Sequence, residues 1–318
     1  MTYYEIDPGE NQTISSVFIL VGFSYLKKMQ ILLFLVLLVV YLLTLMGNLL
    51  VILLILLNPS LHTPMYFFLV NLSFLEICFT TSVVPQLLIH LLVDEKTISI
   101  HGCAAQMYVY TIMGFMECCL LVAMSYDRYV AICHPLHYTT IMSGRVCSWL
   151  AGASWIICIL VAVAHTTWLF SLPFCGSHHM DHFFCDIAPV MKMVCADTTN
   201  MRIVGFILTG LFVMSPFLLI LLSYICIIYT ILKLPSAEGR RKAFSTCSSH
   251  LVVVTLFYGT ALFTYLVPKS ESTMESDQMI SLMNTIVAPV LNPMIYTLRN
   301  KEVKGAFRKA IEKNIFAR

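Results

Sequence analysis

Apolar residues gather into seven long blocks, at 29–57, 65–92, 103–126, 146–170, 203–232, 244–267 and 278–298. Each is long enough to cross a bilayer as a helix, which takes about 20 predominantly apolar residues. The third keeps helical character to about 133. The blocks are separated by polar or proline-bearing stretches. Asn58-Pro59, His134-Pro135 and Pro235-Ser236 read as helix stops, and only 171–202 is a long connection. Beyond Arg299, basic and apolar residues alternate at helical spacing. Val303, Phe307 and Ile311 fall on one face, which predicts a short amphipathic helix lying on the membrane surface. The pattern predicts an all-α membrane protein, a seven-transmembrane helix bundle. Residues 1–28 form an extracellular N-terminus, 29–298 the seven-transmembrane domain and 299–318 a cytoplasmic tail.

Composition agrees with the pattern. The 318 residues are 59% hydrophobic and 11% charged, with mean hydropathy +0.85, against roughly 25% charged residues in a soluble domain. A net charge of +2 gives no sign of a nucleic-acid partner. Lysine and arginine are uneven: of 19, six (Lys27, Lys28, Lys96, Lys192, Arg202, Lys269) lie on the side of the N-terminus, which also holds most of the acids. The other side carries the rest, including Arg128, Arg145, Arg240, Arg241 and the tail. The bias predicts an N-terminus outside and a tail in the cytoplasm of a multi-pass plasma-membrane protein. The N-terminus has no signal-peptide pattern, so the first span acts as its own insertion signal. Asn11 opens a glycosylation sequon; Asn71 opens another, inside an apolar run where it is inaccessible.

Charge inside the apolar blocks is the exception that carries chemistry. In the third block Cys103, Met107, Tyr110, Gly114, Glu117, Leu121, Met124 and Arg128 recur at three- or four-residue steps and share one helical face. Glu117 and Arg128 are three turns apart, about 16 Å. An ionised side chain at mid-bilayer costs at least ~2.5–3.5 kcal/mol, so the acid and the Asp127-Arg128-Tyr129 triplet ask for a function. Glu76 is a second intramembrane acid. Two carboxylates in low dielectric repel, so one binds a proton or both share a cation such as sodium. The alternative is that each is neutral and hydrogen-bonded to Ser73, Asn292 or Asn48.

Most of the twelve cysteines, Cys118, Cys119, Cys158 and Cys226 among them, lie in apolar runs and read as small hydrophobes. Cys103, Cys175, Cys185 and Cys195 lie at span ends or in the polar connection. Before Cys185 stands HHMDHFF. Imidazole is a metal ligand, but solvated loop histidines are the plainer reading of His178, His179 and His182. A transporter or channel, the alternative of another class, predicts duplicated halves and a polar lining through the full depth, and neither is visible. No HExxH, GxSxG or P-loop pattern occurs, so nothing suggests an enzyme.

MSYDRYVAICHPLHY (124–138) resembles the third-span signature of vertebrate olfactory receptors, within the rhodopsin-like G-protein-coupled receptors. GNLL (47–50), LHTPMYFFLVNLSFLE (61–76), Ser223-Tyr224, KAFSTCSSHL (242–251), FYG (257–259) and PVLNPMIYTLRN (289–300) match in the same order, and the likeness is greatest to the larger, terrestrial-type branch. Ser125 and Glu76 depart from the more usual alanine and aspartate. The resemblance implies disulfides Cys103–Cys185 and Cys175–Cys195, sodium-site acids at Glu76 and Glu117, and no other cofactor. It implies a switch at Tyr224 and at Asn292-Pro293 with Tyr296, and Arg128, between Asp127 and Tyr129, as the arginine that meets the G protein. The function it implies is reception of small, mostly apolar volatile odorants and activation of a stimulatory, olfactory-type heterotrimeric G protein that raises cyclic AMP. The outer halves of spans three, five, six and seven then offer a ligand pocket of Tyr110, Thr111, Gly114, Phe115, Leu208, Thr209, Phe212, Tyr258, Ala261, Leu262, Tyr265, Asn284 and Thr285. Tyr258 resembles the family's toggle position.

Overall fold

The computed structural model describes residues 17–23, 28–175, 178–266, 274–299, 303–305 and 308; for 261–266, 274–277 and 297–299 only the backbone is described. Asn11, Lys269, Phe307 and Ile311 lie outside the described residues.

Seven helices form the bundle: α1 (Gln30–Leu57), α2 (Pro64–Leu92), α3 (Ile100–Cys133), α4 (Gly144–Phe170), α5 (Thr199–Leu232), α6 (Ala237–Leu266) and α7, which runs from Met274 to Arg299. Their ends follow local chemistry. Pro64 opens α2, where its missing N–H costs nothing. The Ser99 hydroxyl caps α3 by accepting from the Gly102 N–H at 3.0 Å. Pro59 and Pro135 begin the single 3₁₀ turns that follow α1 and α3.

Among the described residues, six of the helices are long and apolar enough to cross a membrane. Helix α6 begins at Ala237 rather than at 244. Its first half, AEGRRKAFSTCSSH, is polar because the helix extends beyond the apolar block. Two helices carry an internal π segment, Gly210–Met214 in α5 and Met283–Val287 in α7. One extra residue per turn leaves no mark in hydrophobic periodicity.

The central helix is α3, which packs on α2, α4 and α5 and more lightly on α6. Across the bundle α1 meets α7 closely: a methyl group on Gly47 would lie 3.3 Å from Pro293 Cγ. Beside it the Asn48 amide donates to the carbonyls of Thr44 and Pro289. The outward faces are studded with exposed Leu, Ile and Val, among them Leu42, Leu57, Ile156 and Leu222. Surface of that kind has its natural solvent in lipid. Asn71, which opens the inner sequon, bonds inside the bundle, donating to Phe67 O and accepting from Trp155 Nε1.

One end of the bundle carries a feature the hydrophobic pattern does not predict. Strand β1 (Val17–Leu20) lies between β2 (Thr97–Ser99) and β3 (His179–Met180), antiparallel to the first and parallel to the second. Its alternate residues Phe18 and Leu20 are buried. Gly22 then passes so close to Phe183 that a Cβ would stand 2.4 Å from that residue's own. Phe23 adopts a left-handed φ of 56° and donates its N–H to Gln278 Oε1 of α7. Gln278 in turn donates to Asp181 O. The segment before α1, the long 171–202 connection and α7 are thereby stitched into one lid. His182, expected in solvent, is buried: it stacks on Phe183 and its Nε2 lies 3.2 Å from Ser281 Oγ.

Candidate functional site

Under the lid, aromatic side chains of α3 pack across the bundle. Tyr110 lies between Phe79 of α2 and Phe184 of the long connection, at centroid distances of 4.9 and 4.8 Å. Phe184 is fixed by its neighbour. Cys185 is bonded to Cys103, with Cα atoms 5.4 Å apart, and a second disulfide joins Cys175 to Cys195. The Cys185 N–H donates to Gln106 Oε1, while Gln106 Nε2 donates to Ser82 O and Gln86 Oε1 of α2. Gln106 thus ties three parts of the chain together, a role invisible in its sequence position.

One turn further along α3, Gly114 leaves open space, with nothing within 4 Å of where a Cβ would stand. Phe115 stacks on Phe212 at 4.6 Å, and Phe212 belongs to the π segment of α5. Leu208 and Thr209 are half-buried just before it, the Thr209 hydroxyl turned back to Gly205 O. Asn284 and Thr285 belong to the π segment of α7. Asn284 Oδ1 accepts from Thr260 of α6, and the buried Thr285 hydroxyl donates to Ser281 O. Tyr258 is buried between Phe217 and Phe257. The side chains of Ala261, Leu262 and Tyr265 lie outside the described residues. The pocket positions thus fall into two groups: α3 with α5 around Phe115, and α6 with α7 around Thr260.

At mid-depth both acids are buried. Asn292 Nδ2 donates to Glu76 Oε1, joining α7 to α2, while Glu76 Oε2 and the nearby Asn48 Oδ1 have no hydrogen-bond partner among the described residues. Carboxylate and amide oxygens left without partners are the kind of donor a hard cation takes.

At the far end of α3 the charged triplet is folded onto itself. Arg128 Nη2 lies 3.2 Å from Asp127 Oδ2, with the Asp127 side chain fully buried and that of Arg128 15% exposed. The other carboxylate oxygen accepts from Tyr138, in the short helix Tyr138–Ile141, at 2.7 Å. Burial and the neighbouring Asp127 carboxylate push the Tyr138 phenol above its ordinary range, which keeps it a proton donor. Tyr129 turns away to His134 Nε2 at 3.2 Å. Behind the pair, Tyr224 of α5 and His250 of α6 are both buried, with Oη 2.7 Å from Nδ1. Tyr296 of α7 is buried in the same core, and Pro293 sits against Gly47. Tyr138 and His250 are contacts of this site that pattern reading missed. Each lies in a quoted motif, but its partner is 11 or 26 residues away and set by packing.

One helix, α3, thus carries Tyr110, Gly114 and Phe115 toward the lid and the closed Asp127–Arg128 pair near its far end. Comparison with known proteins agrees with that geometry. The olfactory receptor family model matches residues 37–314. Among curated proteins, the human olfactory receptor 10A4 is 53% identical over 96% of this chain and 98% of its own length. The human olfactory receptors 10A5 and 10A7 are 55% and 51% identical, over 95% and 96% of this chain and 96% and 97% of their own. With the seven-helix bundle and the motifs of α3, α6 and α7, these matches make the chain a member of the olfactory receptor family of rhodopsin-like G-protein-coupled receptors.

Proposed function

We propose that the chamber between α3, α5, α6 and α7 binds a small, mostly apolar volatile molecule, and that binding opens the Asp127–Arg128 pair to a stimulatory, olfactory-type heterotrimeric G protein, raising cyclic AMP. The observation that carries the reading is the sharing of α3: Tyr110, Gly114 and Phe115 stand in the half of a single helix nearer the lid and Arg128 near its other end. Rigid-body movement of that helix against α5 and α6 couples the two ends. The lysine and arginine bias sets the lid outside the cell and Arg128 in the cytoplasm of a plasma-membrane receptor.

A ligand of about ten heavy atoms bound at micromolar strength, about −8 kcal/mol, already gains ~0.8 kcal/mol per atom, within the ceiling for tiny ligands. The receptor therefore works by favouring one arrangement over another rather than by tight binding. In the closed arrangement Asp127 holds Arg128, and the protonated Tyr138 satisfies the other Asp127 oxygen. Activation releases Arg128 while Tyr138 keeps the buried carboxylate hydrogen-bonded.

At mid-depth Glu76 and Glu117 would hold a sodium ion, which supplies charge neutralisation for two neighbouring buried carboxylates. Asn292 positions Glu76 for that role. The test of the main reading is cyclic AMP output in reporter cells given an odorant panel, with surface display measured in parallel.

A further inference from the structure

On α3 and α4, three polar atoms are buried without a hydrogen-bond partner among the described residues: Thr111 Oγ1 of α3, and His165 Nε2 and Thr166 Oγ1 of α4. Their residues are 7%, 5% and 0% exposed. Two cross-contacts place them at one level. Lower down, the Cys119 and Cys158 sulfurs approach to 3.9 Å. Two helical turns above that contact, about seven residues, α3 has reached Thr111–Ile112 and α4 has reached His165–Thr166. Immediately above, the hydroxyls of Tyr108 and Thr167 meet at 2.7 Å and close the level off. Thr111 is also one turn above Phe115, whose ring rests on Phe212.

A buried polar atom left without a partner is unfavourable, so three at one level between α3 and α4 call for a guest that carries polarity. Its charge follows from the neighbouring sequence. From Ala104 to Met116 and from Cys158 to Phe170 there is no Asp, Glu, Lys or Arg, so no fixed charge stands at this level to neutralise a carboxylate or an ammonium. Threonine hydroxyls both donate and accept, and an imidazole nitrogen does one or the other. A hydroxyl group can use all of them, a carbonyl oxygen can use the donors, and a hydrocarbon can use none.

We infer that Thr111, His165 and Thr166 form a polar subsite that anchors the oxygen of a neutral oxygenated ligand, an alcohol before an aldehyde, with its alkyl chain lying toward Phe115 and Phe212. The inference rests on the odorant reading above and adds to it the chemical class of the ligand and two residues of α4.

The test compares octanol, octanal and octane. In reporter cells matched for surface display, His165→Leu and the double variant Thr111→Val/Thr166→Val raise the half-maximal octanol concentration about three- to tenfold, the loss of one net hydrogen bond, and leave the response to octane where it was. His165→Gln, which keeps an amide nitrogen near the Nε2 position, stays close to the parent. Equal shifts for octanol and octane, as expected if the three atoms hold only a buried water, overturn the subsite. A second readout needs no G protein: octanol raises the Tm of the purified receptor more than octane does, and His165→Leu removes the difference. Absence of octanol-specific stabilisation overturns the subsite even where other odorants signal. Its presence without cyclic AMP output supports the subsite and removes the signalling reading instead.

Discussion

Asp127→Asn isolates the lock at the Arg128 end of α3. The amide keeps a carbonyl oxygen to accept from Tyr138, so the 2.7 Å bond to the short helix survives. What goes is the charge facing Arg128 Nη2 at 3.2 Å. At that distance the gross attraction is about 5 kcal/mol in an effective dielectric of ~20. Desolvation offsets most of it, and a part-buried ion pair has a net worth of about 1.5–3 kcal/mol, between the ~1 kcal/mol of an exposed pair and the ~3–5 kcal/mol lost on breaking a buried one. If the active arrangement is populated at about 1% without ligand, removing that restraint multiplies the active-to-inactive ratio by about 10 to 150. The active fraction then rises to about 10–60%. Ligand-free cyclic AMP in reporter cells, normalised to surface receptor, should increase several-fold, and the remaining odorant response should shrink in proportion. Basal output equal to the parent at matched surface density would refute the claim that this pair holds the receptor closed.

Further predictions concern the lid and the middle of the membrane. Gln106→Leu orphans the buried Cys185 N–H and releases Ser82 O and Gln86. At about 1–3 kcal/mol per buried unsatisfied group, surface delivery measured by flow cytometry should fall markedly, and normal delivery would remove Gln106 as the lid's anchor. Gly22→Ala puts a methyl group 2.4 Å from Phe183 Cβ. Overpacking of that kind costs ~1–3 kcal/mol, so the Tm of the purified receptor should drop by several degrees, and an unchanged Tm would mean the strand-to-lid contact is loose. Replacing sodium with choline should lower the Tm of the parent receptor but not that of Glu76→Gln. A sodium effect of equal size in both would exclude Glu76 as a ligand.

The helices were legible because a bilayer demands long apolar runs, and the boundaries of α2, α3 and α4 fall within a few residues of those read from the pattern. The start of α6 was not, since Ala237 to His250 is polar yet still helical and hydropathy cannot see helix outside lipid. The sheet was hidden for another reason. Val17–Leu20 is too short to signal a strand by itself, and its register with Thr97–Ser99 and His179–Met180 is set by chain segments about 80 and 160 residues away. Glu76, Glu117 and Arg128 stood out because charge in an apolar run is costly. Gln106, His165 and His250 did not, because a neutral polar residue in a span becomes meaningful only once its neighbours are known. The π segments under Phe212 and Asn284 are likewise a backbone event without a residue signature.

The central claim is that ligand in the chamber is read out through Arg128. Its most direct test is a cyclic AMP dose response to an odorant panel in cells displaying the parent receptor or Arg128→Ala at equal surface density. The account predicts a concentration-dependent rise for the parent and none for Arg128→Ala. An undiminished odorant response in Arg128→Ala would contradict it.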